Sequence, residues 1–289
     1  MKYLSFCQVL QTISSDSSHG RPLLHNGAGG ACQLGFSETN SYMNAIFDSC
    51  EFKNNLAEAE GGALSIQTTG YLTITNCTFE DNVANGDGGA LFIDPDFIND
   101  KVTGQRDLHA TISNSHFTSN YAADGSAMYI TGTSSSYSLT DLVFINNLRA
   151  CNVIYSVASD VHYLQCNFSS SDGISSRGIE QSGGVSITIE EVRFLGLRNY
   201  GDCSYMHGGA LLLREKDSSL NAHLSNQNYA IKNCVFEDCQ NLYGSGGAIY
   251  VSNIEFISIF GSKFINCRSR EEGTILFIDE TVELFEINS

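Results

Sequence analysis

Four pairs of neighbouring acids stand out in this chain: Glu80-Asp81, Glu190-Glu191, Glu237-Asp238 and Glu271-Glu272. Glycoside hydrolysis needs two positioned carboxylates, one as acid and one as base or nucleophile. A polysaccharide lyase needs carboxylates around Ca²⁺ and a basic residue to take the proton. The pairs here fall at different offsets of the repeat described below, so they do not gather with His and Arg on one face. No Gly-His-Gly or Arg-Ile-Lys triplet occurs, and bases are scarce. The loop NGDGG, Asn85–Gly89, has the cadence of a Gly-Asp calcium turn, but in one copy only. The 10 cysteines include no C-x₂-C pair and the 7 histidines are scattered, so the sequence predicts no metal site and no cofactor.

The residues that recur belong to a repeat. CEFKNNLAEAEGGALSI (50–66) returns as CTFEDNVANGDGGALFI (77–93). Aligned on the Phe after the Cys, the phrase recurs at Phe52, Phe79, Phe117, Phe144, Phe168, Phe194, Phe236 and Phe264. The spacings are 27, 38, 27, 24, 26, 42 and 28 residues. Five and seven residues before each Phe the chain is apolar, aromatic or Ala, which is the period of two of a strand. Three before it stands Ser49, Asn76, Asn114, Asp141, Gln165, Glu191, Asn233 or Gly261, mostly types that suit a bend. A third strand follows the glycines, as at Leu64/Ile66, Leu91/Ile93, Met128/Ile130, Leu211/Leu213, Ile249/Val251 and Leu276/Ile278. The glycine pairs read as the turns before it: Gly61-Gly62, Gly88-Gly89, Gly183-Gly184, Gly208-Gly209 and Gly246-Gly247.

Three short strands and three turns per repeat, with like columns stacked about 4.8 Å apart, predict an all-β, right-handed parallel β-helix. It has about 8–10 coils over residues 42–289, with insertions at 94–107 and 214–226. Residues 1–41, with Gly29-Gly30, read as an N-terminal cap or degenerate first coil. In TVELFEINS, Val282 and Leu284 are expected in the first-strand columns of an incomplete last coil. Its open edge invites end-to-end association, or continuation into a longer β-helix. Helical repeats fail on periodicity, and propeller blades of about 40–45 residues fail on spacing.

The Phe column is core. Cys50, Cys77, Cys166 and Cys234 share an inward column with Ser, Val and Leu; Cys239 and Cys267 share another. Adjacent-coil pairs Cys50–Cys77 and Cys239–Cys267 would lie within disulfide reach, and buried free thiols are the other reading. Asn55, Asn82, Asn120 and Asn147, three after the Phe, predict an amide ladder, which then passes to Ser171, Leu197, Cys239 and Cys267. Gly62, Gly89, Gly209 and Gly247 complete the structural set.

Phe-x-x-Asn together with Gly-Gly-Ala-Leu/Ile resembles the repeats of polymorphic outer membrane proteins, over about residues 42–278. The resemblance implies a surface adhesin on a right-handed β-helix, displayed at the cell surface or secreted. The later coils depart from it by losing the Asn, and the N-terminus MKYLSFCQVLQTISSD carries no clear signal peptide.

A net charge of −17, from 32 acids and 15 bases, argues against nucleic acid and anionic membrane as partners. No stretch reaches about 18 consecutive apolar residues, so this chain is not expected to insert in a membrane. The expected function is a non-catalytic β-helix module for adhesion, contacting a protein or glycan ligand and forming part of a larger surface protein. A carbohydrate-active, pectin lyase-like enzyme is the alternative, and a structural spacer or assembly component the second. The two insertions leave one edge and are a candidate contact ridge. Outward Val143, Ile145, Leu195, Val235 and Ile265 are a candidate apolar patch. Asn76 (Asn-Cys-Thr) and Asn167 (Asn-Phe-Ser) are glycosylation sequons if the chain passes a eukaryotic secretory route.

Overall fold

The computed structural model describes residues 8–14, 29–35, 42–97, 107–147, 151–171, 176–199, 207–215, 227–279 and 284–288. The chain is a parallel β-helix. Three sheets of ten, nine and eight strands run its length, and each strand pairs with its counterpart one coil away. The ten-stranded sheet holds Thr69–Thr75, Leu108–Ser113, Ser136–Thr140, Asp160–Leu164 and Ser186–Glu190 at its middle. The eight-stranded sheet consists of three-residue strands centred on the Phe column, such as Thr78–Glu80. The nine-stranded sheet follows the glycines, as at Leu91–Ile93.

Single residues in the left-handed region make the corners. The first corner is the bend the sequence predicts, at Ser49, Asn76, Asn114, Asp141, Gln165, Glu191 and Asn233, with φ from 48° to 54°. A second, two residues after the Phe, escaped the sequence reading: Asn54, Asp81, Ser119, Asn146, Gly196, Asp238 and Asn266. The third is the first glycine of each pair, as at Gly61, Gly88, Gly208 and Gly246. Asn, Asp and Gly dominate because they tolerate this backbone best. The second glycines are needed for another reason. A Cβ on Gly62, Gly89, Gly209 or Gly247 would collide with the carbonyl oxygen of Gly89, Ser126, Gly247 or Thr274 in the next coil.

Inside, Phe52 to Phe264 form one ring stack with centroid separations of 4.5–5.1 Å. Each buried ring contributes about 1.5–3 kcal/mol. The stack therefore sets the register as well as filling the core.

Three expectations need correction. Gly183-Gly184 does not precede a nine-stranded-sheet strand; it follows Arg177–Ser182 and turns the chain into Ser186–Glu190. Val282 lies outside the described residues, and Leu284 is one position off the inward column. Phe285 and Ile287 pair with Ile257 and Ile259, since LFEIN alternates equally well in that frame. Ser171 does not continue the Asn column. It is exposed and its Oγ takes a 3.0 Å hydrogen bond from Asn146 Nδ2, the second-corner residue of the coil before.

At the N-terminal side, Cys32–Gly35 pairs in parallel with Leu64–Gln67. Gln8–Ser14 pairs antiparallel with Tyr42–Asp48 and covers that sheet edge.

Candidate functional site

The Asn column is a continuous buried ladder. Asn55, Asn82 and Asn120 each donate from Nδ2 to Oδ1 of the next Asn at 2.9 Å. The same Oδ1 atoms take the backbone N–H of the preceding Asn at 3.0–3.2 Å. The second N–H of Asn82, Asn120 and Asn147 reaches the carbonyl of Phe52, Phe79 and Phe117. The amides thus satisfy one another and the backbone.

The thiols work on the same plan. Cys77 Sγ donates to Thr75 O at 3.1 Å and accepts the N–H of Cys50 at 3.4 Å. Ser115 Oγ donates to Ser113 O and accepts the N–H of Cys77. One donor and one acceptor on a short stem is what the position needs, which is why Cys and Ser exchange there. Burial pushes Cys166 and Cys234 up to about 12, so both are thiols. Of the two sequence readings, the buried free thiol holds for this column and the Cys50–Cys77 and Cys239–Cys267 disulfides are not formed. Cys77, Cys239 and Cys267 are free. Their sulfurs point at main-chain carbonyls, Cys239 Sγ at Phe194 O and Cys267 Sγ at Phe236 O. Cys50 is disulfide-bonded, but not to Cys77, and so is Cys151, which belongs to no stacked column and went unread in the sequence.

The acid pairs do not meet. Glu80 pairs with Lys53 at 2.8 Å, Glu237 with Arg193 at 2.8 Å, and Glu191 accepts from Gln165. A different charged cluster does form, beside the outer face of the nine-stranded sheet. Asp87 and Asp124 stack one coil apart at the third corner, with Asp124 N donating to Asp87 Oδ1 at 3.3 Å. Burial, then the neighbouring Asp124 charge, raises Asp87 to about 6; burial, then Glu180, raises Asp124. Glu180 is the hub. It pairs with the fully buried Arg177, takes two bonds from Arg214 at 3.0 and 3.2 Å, and accepts Asn152 Nδ2 at 3.0 Å. Outward Phe92, Tyr129 and Tyr155 stack beside it at 4.9–5.2 Å. The sequence signal was present but unread: SRGIEQSGG places an Arg and a Glu in an otherwise buried strand. NGDGG supplies Asp87, as an acid partner rather than a repeated calcium turn. Among the described residues no group of three metal-ligating side chains is close enough to hold an ion.

The outer face of the ten-stranded sheet carries a shallow groove. Two outward rows border it: His109, Ser136, Asp160 and Ser186 on one side, Thr111, Ser138, His162 and Thr188 on the other. Its volume is about 270 Å³. His109 Nδ1 and Ser136 Oγ are 2.7 Å apart, and the His109 ring stacks on exposed Tyr71 at 5.3 Å. His162 Nε2 makes no hydrogen bond and lies 3.8 Å from Glu190 Oε2.

Both insertions leave the edge between the nine- and ten-stranded sheets, and most of each lies outside the described residues. The first begins with a 3₁₀ turn, Pro95–Phe97, held by Thr131 Oγ1 on Asp94 and Thr133 N on Asp96. On the eight-stranded sheet Val143, Ile145, Leu195 and Val235 are half-buried and Ile265 is exposed. Asn76 is exposed at its corner with Nδ2 on Asp48 at 3.0 Å, and Asn167 is exposed at the start of Asn167–Ser169. No helix among the described residues is long and apolar enough to cross a membrane.

No curated protein and no solved structure matches the chain. Residues 76–94, which span the Cys77 thiol, Phe79, ladder Asn82 and Gly88-Gly89, match the Chlamydia polymorphic membrane protein repeat. The chain is thus a parallel β-helix similar, through that repeat, to the polymorphic membrane proteins, a family of the cell surface.

Proposed function

We propose that this β-helix is a non-catalytic adhesion module that presents its outer faces to a protein or glycan ligand at the cell surface. The observation that carries this reading is the polymorphic membrane protein repeat at 76–94. A stacked solenoid supports it physically, since parallel ladders and a continuous ring stack hold outward side chains in fixed rows. Latex beads coated with the purified chain are expected to attach to cultured epithelial cells above albumin-coated controls. Attachment no better than albumin would sink the reading.

One observation favours the carbohydrate-active alternative. Asp87 and Asp124 are partly buried carboxylates in neighbouring coils, beside Arg177, Arg214 and two tyrosines, and a raised carboxyl is what a general acid requires. A polysaccharide panel assayed for new reducing ends or unsaturated products separates the two. Cleavage that disappears in Asp87→Asn would replace the adhesion reading with the enzymatic one.

A further inference from the structure

The cysteines of this chain do not share one state. Cys50 and Cys151 are disulfide-bonded, and Cys32, Cys77, Cys166, Cys234, Cys239 and Cys267 are free. Most of the free ones have no free thiol on a neighbouring coil. Cys166 and Cys234 stand one coil either side of Val192, and Ser262 follows Cys234 in the same column. Cys77 has Cys50 and Ser115 beside it, and Cys32 lies opposite Leu64. Among the described residues, Cys239 and Cys267 are the one pair of free thiols on adjacent coils. Gln240 pairs with Arg268, and Arg268 N donates to Cys239 O at 2.9 Å, so the two cysteines face each other across one step of the ladder. That places their Cα atoms about 4.8 Å apart, inside the disulfide range. Both sulfurs point the same way: Cys239 Sγ reaches Phe194 O and Cys267 Sγ reaches Phe236 O, the equivalent carbonyls one coil back.

The two thiols are not equivalent. Cys239 is fully buried, whereas Cys267 is 7% exposed and sits between exposed Asn266 and Arg268. Cys239 also donates its S–H to Cys267, which lowers the Cys267 thiol and, together with burial, raises Cys239. A lowered thiol at the edge of the core, with a second thiol in contact behind it, is the arrangement in which oxidation by peroxide is selective. A disulfide here makes both sulfurs give up the carbonyls they now serve. It is therefore a bond that small thiols reopen, unlike a structural one.

We propose that Cys267 is a site of oxidation by hydrogen peroxide and Cys239 its resolving thiol, so that these two coils carry a reversible covalent latch. The Cys267 sulfur attacks one oxygen of the peroxide. The S–O bond forms, the O–O bond breaks, and the leaving hydroxide takes the Cys267 proton and departs as water. Cys239 Sγ then attacks the sulfenic sulfur of Cys267. The S–S bond forms, the S–O bond breaks, and hydroxide leaves as water with the Cys239 proton. The two sulfurs together give up two electrons to the peroxide. A small thiol reopens the bond by exchange and is itself oxidised to its disulfide.

The test treats the whole chain with hydrogen peroxide, blocks remaining thiols by alkylation and maps the peptides by mass spectrometry without reduction. The map is expected to show a new Cys239–Cys267 bond that dithiothreitol reopens, with Cys166 and Cys234 still reduced. Two variants sharpen the assignment. In Cys239→Ser the sulfenic acid has no resolving thiol, so dimedone labelling of Cys267 should rise at least about tenfold over the parent. In Cys267→Ser neither the bond nor a label on Cys239 should appear. Should Cys239→Ser fail to melt like the parent, the parent map decides alone. No Cys239–Cys267 bond in the parent, oxidation spread evenly over Cys166, Cys234 and Cys267, or no gain of label in a folded Cys239→Ser would each overturn the proposal.

Discussion

From Asn55 to Asn147 the buried position three residues past each stacked Phe is an amide. From Leu197 onward it is Leu or Cys, and the amide moves two residues along, to Asn199 and Asn241, where the earlier coils have Ala57, Ala84 and Ala122. The bonds change with it. In the first region the amides link coil to coil at 2.9 Å. In the second, Asn241 braces the turn of its own coil. Its Nδ2 donates to Ser245 O and its Oδ1 accepts Tyr243 N and Gly244 N. The thiols of Cys239 and Cys267 reach the Phe carbonyl of the coil before and hydrogen-bond each other across the coils. The same corner is thus built in two ways, one joining coils through an amide ladder and one joining them through thiols while an Asn braces the turn that follows. Buried main-chain groups must be satisfied in both.

The largest expected effect lies between the regions, at the Arg177–Glu180–Arg214 cluster. Glu180→Ala leaves a fully buried guanidinium without its carboxylate and is expected to cost about 3–5 kcal/mol, read from urea unfolding. A loss under about 1 kcal/mol would show that the two regions do not meet through this charge. Next comes the comparison itself. Asn120→Ala strips side-chain hydrogen bonds from Asn82, Asn147 and the Phe79 carbonyl and is expected to cost about 3 kcal/mol. Cys239→Ala, which loses one weak donor and little volume, is expected to cost about 1 kcal/mol. Equal costs would erase the distinction between the two corners.

Smaller effects test the edges of the comparison. Asp87 is raised by burial and by Asp124, so between about pH 4 and 6 the folded chain holds a proton that the unfolded chain releases. Its contribution therefore favours folding at acid pH and weakens as pH rises through 6. Asp87→Asn should flatten that slope. It should also raise the melting temperature at pH 7.5 by about 2 °C, a figure reduced for the group's partial exposure. A steeper slope in the variant would reverse the assignment. The smallest change is Cys234→Ser. Ser115 and Ser262 already do the same job in that column, so stability should stay within about 0.5 kcal/mol of the parent.

Much of the scaffold was legible because a solenoid writes its spatial neighbours into its sequence period. The Phe column, the first corner and the Asn ladder each recur at one offset, and stacking follows from recurrence. The second corner escaped because Asn54, Asp81, Ser119 and Asn146 lie next to the more conspicuous ladder residues and look like ordinary polar strand edges. The charged cluster escaped because its members come from different offsets: Asp87 from a glycine turn, Asn152 from a coil without one, Arg177 and Glu180 from a single strand. The groove escaped because it depends on small residues being small. Ser136 and Ser138 carry no signal until His109 and His162 stand on either side of them.

The amino-acid sequence by itself determined the repeat, the three strands per coil, the inward Phe and Asn columns and the family likeness, since each depends on residues at fixed spacing within one coil or between identical positions of adjacent coils. Only the tertiary structure decided which cysteines are free, which acids share a site and which outward rows enclose a groove. Those outcomes depend on unlike residues at unlike offsets, and on coils of 24 to 42 residues bringing them into contact at the roughly 4.8 Å spacing of paired strands.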